Sequence, residues 1–452
     1  MFRSINPYTE KVIYENPEIA DEELEKRLDL AFSAFLKWRK ITLNERKNFI
    51  AKLIEILTTY RSNLAHLITS EMGKTIKESE SEVDKCAKLI RYYTDNIDRY
   101  IADEFIDEGK KIIYEPLGPI FAIMPWNFPF WQVFRFVVPN LLAGNTVVLK
   151  HASNVQESAK VIEFIFDNIG FGSGLLINLP ISSARVERVI SDQRIFGVTL
   201  TGSENAGRSV ARLAGEYIKK VVLELGGNDP FIVFEDVDLD FVLDNAAKAR
   251  LRNAGQACNS AKRFLIHQKI FNQFVDGLRA RFASVKVGDP LDRNTDMGPV
   301  VSESAREQIL EQIEIAKNNG AEVTWGGRKL HNQGYFVEPT IVSNVSQNNP
   351  VLDQEIFGPV ALVMSFGDHA GAIELANKTA FGLNSSVWTN NKEYQEYAIK
   401  NIQAGSVFIN QIATSDVMMP FGGIKKSGFG REMGESGVRE FLNIKSVVYN
   451  NG

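Results

Sequence analysis

Residues 194–227 read RIFGVTLTGSENAGRSVARLAGEYIKKVVLELGG. An apolar run closes at Thr201 on Gly202 and Ser203, apolar residues return at helical spacing through Val210, Leu213 and Ala214, and a second apolar run from Val221 ends at Gly226 and Gly227. Strand, helix, strand in that compass is a crossover unit, whose two strands run parallel in one sheet. The alternation extends upstream, with NTVVLK (145–150) as a strand, SAKVIEFIFDNI (158–169) as a helix and GLLINLP (174–180) as a strand. It restarts after Gly227 with GGNDPFIVF (226–234), a helix DLDFVLDNAAKARLRNAG (238–255), a strand KRFLIH (262–267) and a helix QKIFNQFVDGLRARFASV (268–285). Two further strands follow, GYFVEPTIV (334–342) and PVALVMSF (359–366). The pattern predicts an α/β chain built on the doubly wound plan, with a second α/β unit beginning near Gly227.

From Asp21 to about Tyr100 the period is helical instead, with Leu53, Ile54, Leu57, Leu64, Leu67 and Ile68 recurring at threes and fours. The predicted units are therefore 1–226, interrupted by strands at about 107–118 that include KKIIYE, then 227–423, then 424–452. The last carries a Gly-rich segment into VREFLNIKSVVYN (438–450), a short helix and a strand. That strand and KKIIYE are exposed to pairing and predict an arm that lengthens a sheet across a subunit boundary, hence a homodimer or homotetramer.

At 452 residues the chain exceeds one simple core, and its 44% hydrophobic and 24% charged composition is ordinary globular usage. A net charge of -5 offers no basic field, which excludes nucleic acid as the expected partner. No apolar run reaches the roughly 18 residues of a membrane span, and the polar, Pro-containing start MFRSINPYTEKVIYENPEIADEE (1–23) is unlike a signal or transit peptide. A cytoplasmic location is expected, with Cys86 and Cys258 both reduced. The five histidines, His66, His151, His267, His331 and His369, show no paired ligand spacing, so no metal is expected.

Four stretches carry candidate chemistry. Gly202, Ser203 and Gly207 stand between a strand and a helix, where unpaired amides bind anions, although the strict dinucleotide glycine spacing is missing and an ordinary turn would look the same. Glu224, in LELGGNDP (223–230), reads as a ribose-binding acid by its distance from Gly202, as a general base at a strand end, or as a partnered structural glutamate. Asn127, in MPWNFPFWQVFRF (124–136), is either a rigid oxyanion donor or a turn asparagine. Cys258, in RNAGQACNSAKR (252–263), is either a small core residue or a nucleophile with space and backbone donors around it.

PWNFP, GNTVVLK, TGS followed by Gly207, LELGGNDP, GQAC, EIFGPV and PFGGIKKSGFGRE stand in the order and spacing of one family. On them the chain resembles the aldehyde dehydrogenase superfamily over essentially its whole length. The resemblance implies a Rossmann-type cofactor domain (1–226), a catalytic domain (227–423) and an oligomerisation arm. It implies Cys258 as nucleophile, Glu224 as the base that activates water and Asn127 as an oxyanion donor beside the Cys258 N–H. It places Trp126, Lys150, Ser153, Gly202, Ser203, Gly207, Glu355 and Phe357 toward the dinucleotide.

Two departures refine the expectation. Many NAD-preferring relatives have a glutamate where KHASN (150–154) has Ser153, and a carboxylate there would repel the ribose phosphate of NADP. NAD or NADP is expected, with a lean to NADP. Arg135 and Arg252 are similar to arginines that hold the distal carboxylate in succinate-semialdehyde dehydrogenases, with Ser415 as an added hydroxyl. A small semialdehyde is the expected substrate, succinate semialdehyde ahead of glutarate semialdehyde or a phosphorylated hydroxyaldehyde. The alternative for both arginines is a structural ion pair. Cys86 reads as a helix core residue, and Lys262 and Arg263 as structural.

Overall fold

Strands that are apolar on both faces form the first sheet, because only a sheet covered on both sides by helices can bury them. In the computed structural model, which describes residues 1–330 and 333–450, this sheet has the order Gly428–Phe429, Lys220–Glu224, Gly197–Thr201, Pro119–Met124, Thr146–His151, Leu176–Asn178. His331 lies outside the described residues. All neighbours are parallel except the short Gly428–Phe429, which returns antiparallel to Glu224 and Leu223. Thr201 and Glu224 are register partners at the ends of adjacent strands, and the helix Glu204–Glu216 starts just beyond Thr201. Gly207 lets that helix lie close on the sheet, since a Cβ there would fall 2.7 Å from the Leu225 side chain.

The helices Asp21–Trp38, Leu43–Thr59, Arg61–Met72 and Ile76–Asn96 form the expected N-terminal helical layer. Two begin with reciprocal capping boxes, Thr42 with Glu45 and Thr75 with Glu78, which satisfy donors that would otherwise be orphaned. Leu53, Leu57, Ile68, Cys86 and Ile90 bury one shared core with the helix Trp131–Ala143.

The chain switches sheets between Glu224 and Asp229. The second sheet has the order 322–325, 340–343, 360–366, 261–267, 229–233, 384–388, 406–409, parallel except at its first pair. The stretch GYFVEPTIV divides rather than forming one strand: Phe336–Val337 pairs with Lys329–Leu330, and Thr340–Ser343 enters the sheet. Pro339 stands between them and has no N–H to continue a ladder.

The arm strands are Glu104–Asp107 and Lys110–Pro116, slightly earlier than the sequence suggested. Leu442–Val448 pairs antiparallel along the whole of Lys110–Pro116 of the same chain, from Leu442 opposite Pro116 to Val448 opposite Lys110. The two strands expected to await a partner thus satisfy each other, leaving only the outer edges of a three-stranded sheet open. Among the described residues no helix is long and apolar enough to cross a membrane.

Candidate active site

The helix Leu239–Leu251 ends seven residues before Cys258, and the chain then takes three consecutive left-handed residues, Asn253 (φ 53°), Ala254 (φ 50°) and Gly255 (φ 74°). Such backbone persists only where its surroundings over-determine it. Glu78 accepts the Asn253 N–H at 2.7 Å, and Asn253 Nδ2 donates to the carbonyl of Asn127 at 2.9 Å. Buried cations hold the carbonyls on either side: Arg250 donates to Gly255 at 2.5 Å and to Ala261 at 2.8 Å, and Lys262 to Ala257 at 3.0 Å and Cys258 at 2.6 Å.

Gly255 has no room for a side chain, since a Cβ would sit 2.2 Å from the Gly358 carbonyl. Gly255→Ala is therefore expected to cost about 3 kcal/mol or more, read as a lowered thermal midpoint. Gly215→Ala, in a helix with open space at the Cβ position, should leave the midpoint unchanged or raise it.

The Cys258 thiol is held neutral at ordinary pH. Burial pushes it up to about 11, with the charges of Arg135 and Lys262 pulling the other way. Asn127 lies against the same loop, one N–H of its amide directed at the Gln256 carbonyl at 3.0 Å. Its own loop is fixed on the C-terminal side: Glu82 accepts the N–H groups of Phe130 and Trp131 at 2.9 Å, and His151 Nε2 meets the Pro129 carbonyl at 2.9 Å. Burial lowers His151 to about 4, so it is a neutral strut between the strand Thr146–His151 and that loop.

Glu224 is buried with both carboxylate oxygens unpartnered among the described residues. It lies against the Gly-rich segment, where a Cβ on Gly422 would come within 2.6 Å of Oε1. Burial, and then the negative charge of neighbouring Glu432, raise it well above the usual carboxylate range. A carboxyl shifted upward in this way holds a proton more readily than a free one, which suits a general base.

Two cavities meet at Cys258. One, of about 540 Å³, is lined by Trp126, Asn127, Gly202, Ser203, Glu355 and Phe357 on its way to the cysteine. The other, of about 590 Å³, is lined by Cys258, Phe128, Trp131, Lys85, Arg135, Arg252 and Ser415. Gln132 touches both. A thiol placed between two cavities can meet a different molecule on each side.

The first cavity suits a dinucleotide. The helix Glu204–Glu216 opens toward it at Ser203, its positive end facing any phosphate. Gly202 would carry a Cβ with nothing closer than 3.6 Å, and Trp126 and Phe357 form an edge-to-face pair at 5.7 Å. Glu355 is held by the Gly227 N–H and Lys262, both at 3.1 Å. Of the remaining expected cofactor residues, Gly207 serves helix packing, while half-buried Lys150 and exposed Ser153 stand away from this cavity, at the end of the neighbouring strand.

The family model for the "Aldehyde dehydrogenase family" matches residues 1–447. The chain belongs to the aldehyde dehydrogenase family. This aldehyde dehydrogenase is 43% identical over 451 residues to a protein of Mycobacterium avium named succinate-semialdehyde dehydrogenase [NADP(+)], covering 98% of this chain and 96% of that one. It is 45% identical over 447 residues to a probable succinate-semialdehyde dehydrogenase [NADP(+)] of Synechocystis, covering 98% of each. Among solved structures, the succinic semialdehyde dehydrogenase of Streptococcus pyogenes in complex with NADP+ superposes with a TM-score of 0.97 at 39% identity, covering 100% of both chains.

Several side chains of this aldehyde dehydrogenase escaped the sequence reading. Lys262, read as structural, joins the nucleophile loop to Glu355 and so ties the two sides of the first cavity together. Arg263 donates to the carbonyls of Asn228, Leu375 and Ala376, which matches a structural role. Arg135 lines the second cavity and is buried in an ion pair with Glu432, with its guanidinium 4.9 Å over Phe421, which is the structural ion pair offered as the alternative for it. Arg252 donates to Asn259 at 2.8 Å and makes no ion pair among the described residues. Lys85, a residue that sequence reasoning passed over entirely, reaches Ser415 Oγ at 2.6 Å.

Proposed function

We propose that this aldehyde dehydrogenase oxidises succinate semialdehyde to succinate with NADP preferred over NAD, using Cys258 as nucleophile, Asn127 as oxyanion donor and Glu224 as base. The observation that carries the reading is the cysteine at the junction of an anion-suited cavity and a second cavity lined by Lys85, Arg135 and Arg252. The names of its relatives support it, since the proteins of Mycobacterium avium and Synechocystis are both called NADP-dependent. Ser153 supports the same preference, because it sets no negative charge against a ribose phosphate while Lys150 lies nearby on the same strand end.

Cys258 gives its thiol proton to solvent water as Sγ adds to the aldehyde carbon, the C=O π pair moving to oxygen, so that a C–S bond and an oxyanion form. The second N–H of Asn127 and the N–H of Cys258 then donate to that oxygen. What NADP supplies, when held by Ser203, Glu355 and Lys150, is the acceptor for the hydride that leaves the carbon. A thioester on Cys258 remains. Glu224, turned from Gly422 toward the cysteine and ionised there, takes a proton from water as the oxygen attacks the thioester. The C–S bond breaks, succinate departs and the thiol is restored.

In the same reading residues 1–226 hold the dinucleotide, 227–423 supply the nucleophile, and the three-stranded arm offers its open edges to a second copy of the chain. Steady-state comparison of succinate semialdehyde, glutarate semialdehyde and butanal with either cofactor tests the proposal. The expected result is a kcat/KM for succinate semialdehyde with NADP at least about tenfold above that for butanal or with NAD, a margin of only about 1.4 kcal/mol. Equal kcat/KM for butanal would remove the carboxylate from the substrate, and equal kcat/KM with NAD would remove the cofactor preference.

A further inference from the structure

Lys85, Arg135 and Arg252 are among the cations lining the second cavity, and they differ in what already neutralises them. Arg135 is spoken for by Glu432, both side chains being buried. Lys85 and Arg252 have no carboxylate within ion-pair distance among the described residues, and the Nε of Arg252 is buried without a hydrogen-bond partner. The acids that could have served them are engaged elsewhere. Glu82 is paired with fully buried Lys74 at 2.6 Å while it caps the Trp131 helix, and Glu78 caps its own helix while it holds the Asn253 N–H. Lys85 is held in place by Ser415 at 2.6 Å and by the face of Trp131, 3.9 Å from its ammonium. An ammonium fixed by a hydroxyl and an aromatic face, yet lacking an anion, is arranged for one that arrives with a ligand.

On the reading of the substrate as a carboxylated aldehyde, we propose that Lys85 of the helix Ile76–Asn96 is a specificity-determining residue that binds the substrate's distal carboxylate together with Arg252. Ser415 orients the ammonium, and Arg135 acts on the Glu432 side as a positioning residue. The charge on Lys85 is adjustable. Burial, then Arg252 and Arg135, bring it down to about 7, against weaker opposing effects from Cys86 and Glu82. The other charged groups lining this cavity are Lys77, Glu78, Lys248 and Asp296. Below about 7 the side chain is a cation in the free protein; above it the charge is lost, and binding of a carboxylate must then include proton uptake.

The test compares succinate semialdehyde with butanal in the full-length protein, its Lys85→Met and Lys85→Arg variants and Arg252→Met. Lys85→Met should reduce the ratio of kcat/KM values for the two aldehydes by roughly 10- to 100-fold, the size of a charge-assisted hydrogen bond. The loss should fall on KM, and Lys85→Arg should restore part of the ratio. In the unsubstituted protein kcat/KM for succinate semialdehyde should fall, relative to butanal, as pH rises through about 7. This last measurement needs no variant and stands even if Lys85→Met fails to fold. A wild-type ratio near one would overturn the substrate reading itself. A high wild-type ratio that survives Lys85→Met but collapses in Arg252→Met, with no relative fall in pH, would overturn the role of Lys85 alone.

Discussion

Cys258→Ala is expected to lower kcat for aldehyde oxidation by about 10⁴-fold or more, because without the C–S bond no thioester can form and the other groups have nothing to act on. The second cysteine cannot substitute: Cys86 is fully buried in the core of the helix Ile76–Asn96, and burial raises its thiol far above the usual range. Reduced-cofactor formation measures the loss, and calorimetric titration with NADP should show that dinucleotide binding survives, since Cys258 only borders that cavity. Labelling by iodoacetamide should fall from one equivalent to none. It should also be slow in the unsubstituted protein near neutral pH, where a thiol pushed up to about 11 is almost wholly protonated. Residual turnover within tenfold of the unsubstituted protein would mean that the chemistry lies elsewhere.

Glu224→Gln should separate the two halves of the reaction. Steady-state turnover is expected to drop by about 10²- to 10⁴-fold, as for loss of a general base, while a rapid burst of reduced cofactor close to one per active site persists. Loss of the burst along with turnover would show that Glu224 acts before the thioester, or only in structure. The same variant carries a stability signature. The carboxyl is raised in the folded chain by burial and by Glu432, so the folded state binds more protons than the unfolded state above the ordinary carboxylate range. Stability then falls as pH rises through that window. Glutamine has no such proton to lose, so the midpoint of Glu224→Gln relative to the unsubstituted protein should climb as pH rises above the ordinary carboxylate range.

The fold was legible from residues 194–227 outward because a crossover is a local pattern: the strand, the Gly-Ser turn and the helix are contiguous. The loops of Cys258 and Asn127 were legible for a similar reason, being short stretches of small or Pro-fixed residues, whereas the roles expected of the two side chains came only from the family resemblance. What escaped depends on distance along the chain. Lys85 sits beside Cys86 on an amphipathic helix and reads as the solvated border of an apolar stripe, and only the arrival of Ser415 and Trp131 makes it a cavity wall. A local sign existed, since Glu82, three residues before it, is the acid expected to pair with it on the helix surface. That acid is diverted to Lys74, and no periodicity could reveal the diversion. His151 was similar: the sequence shows only a histidine without ligand spacing, whereas its ring turns inward to the Pro129 carbonyl.

The return of the Gly-rich segment to the first sheet sets an order of assembly. Gly428 and Phe429 extend the sheet at Glu224, the Leu225 N–H donates to the Ser427 carbonyl, and Phe421 and Ser415 wall the second cavity. During synthesis from the N-terminus, the cysteine loop leaves the ribosome long before these residues exist. Until they arrive, Glu224 faces water, Arg135 lacks Glu432, and the aldehyde cavity has no far wall. The nucleophile and its base are thus built early and brought into use late. A chain interrupted before residue 420 would carry every residue of the GQAC and LELGG motifs and still have no enclosed site in which to use them.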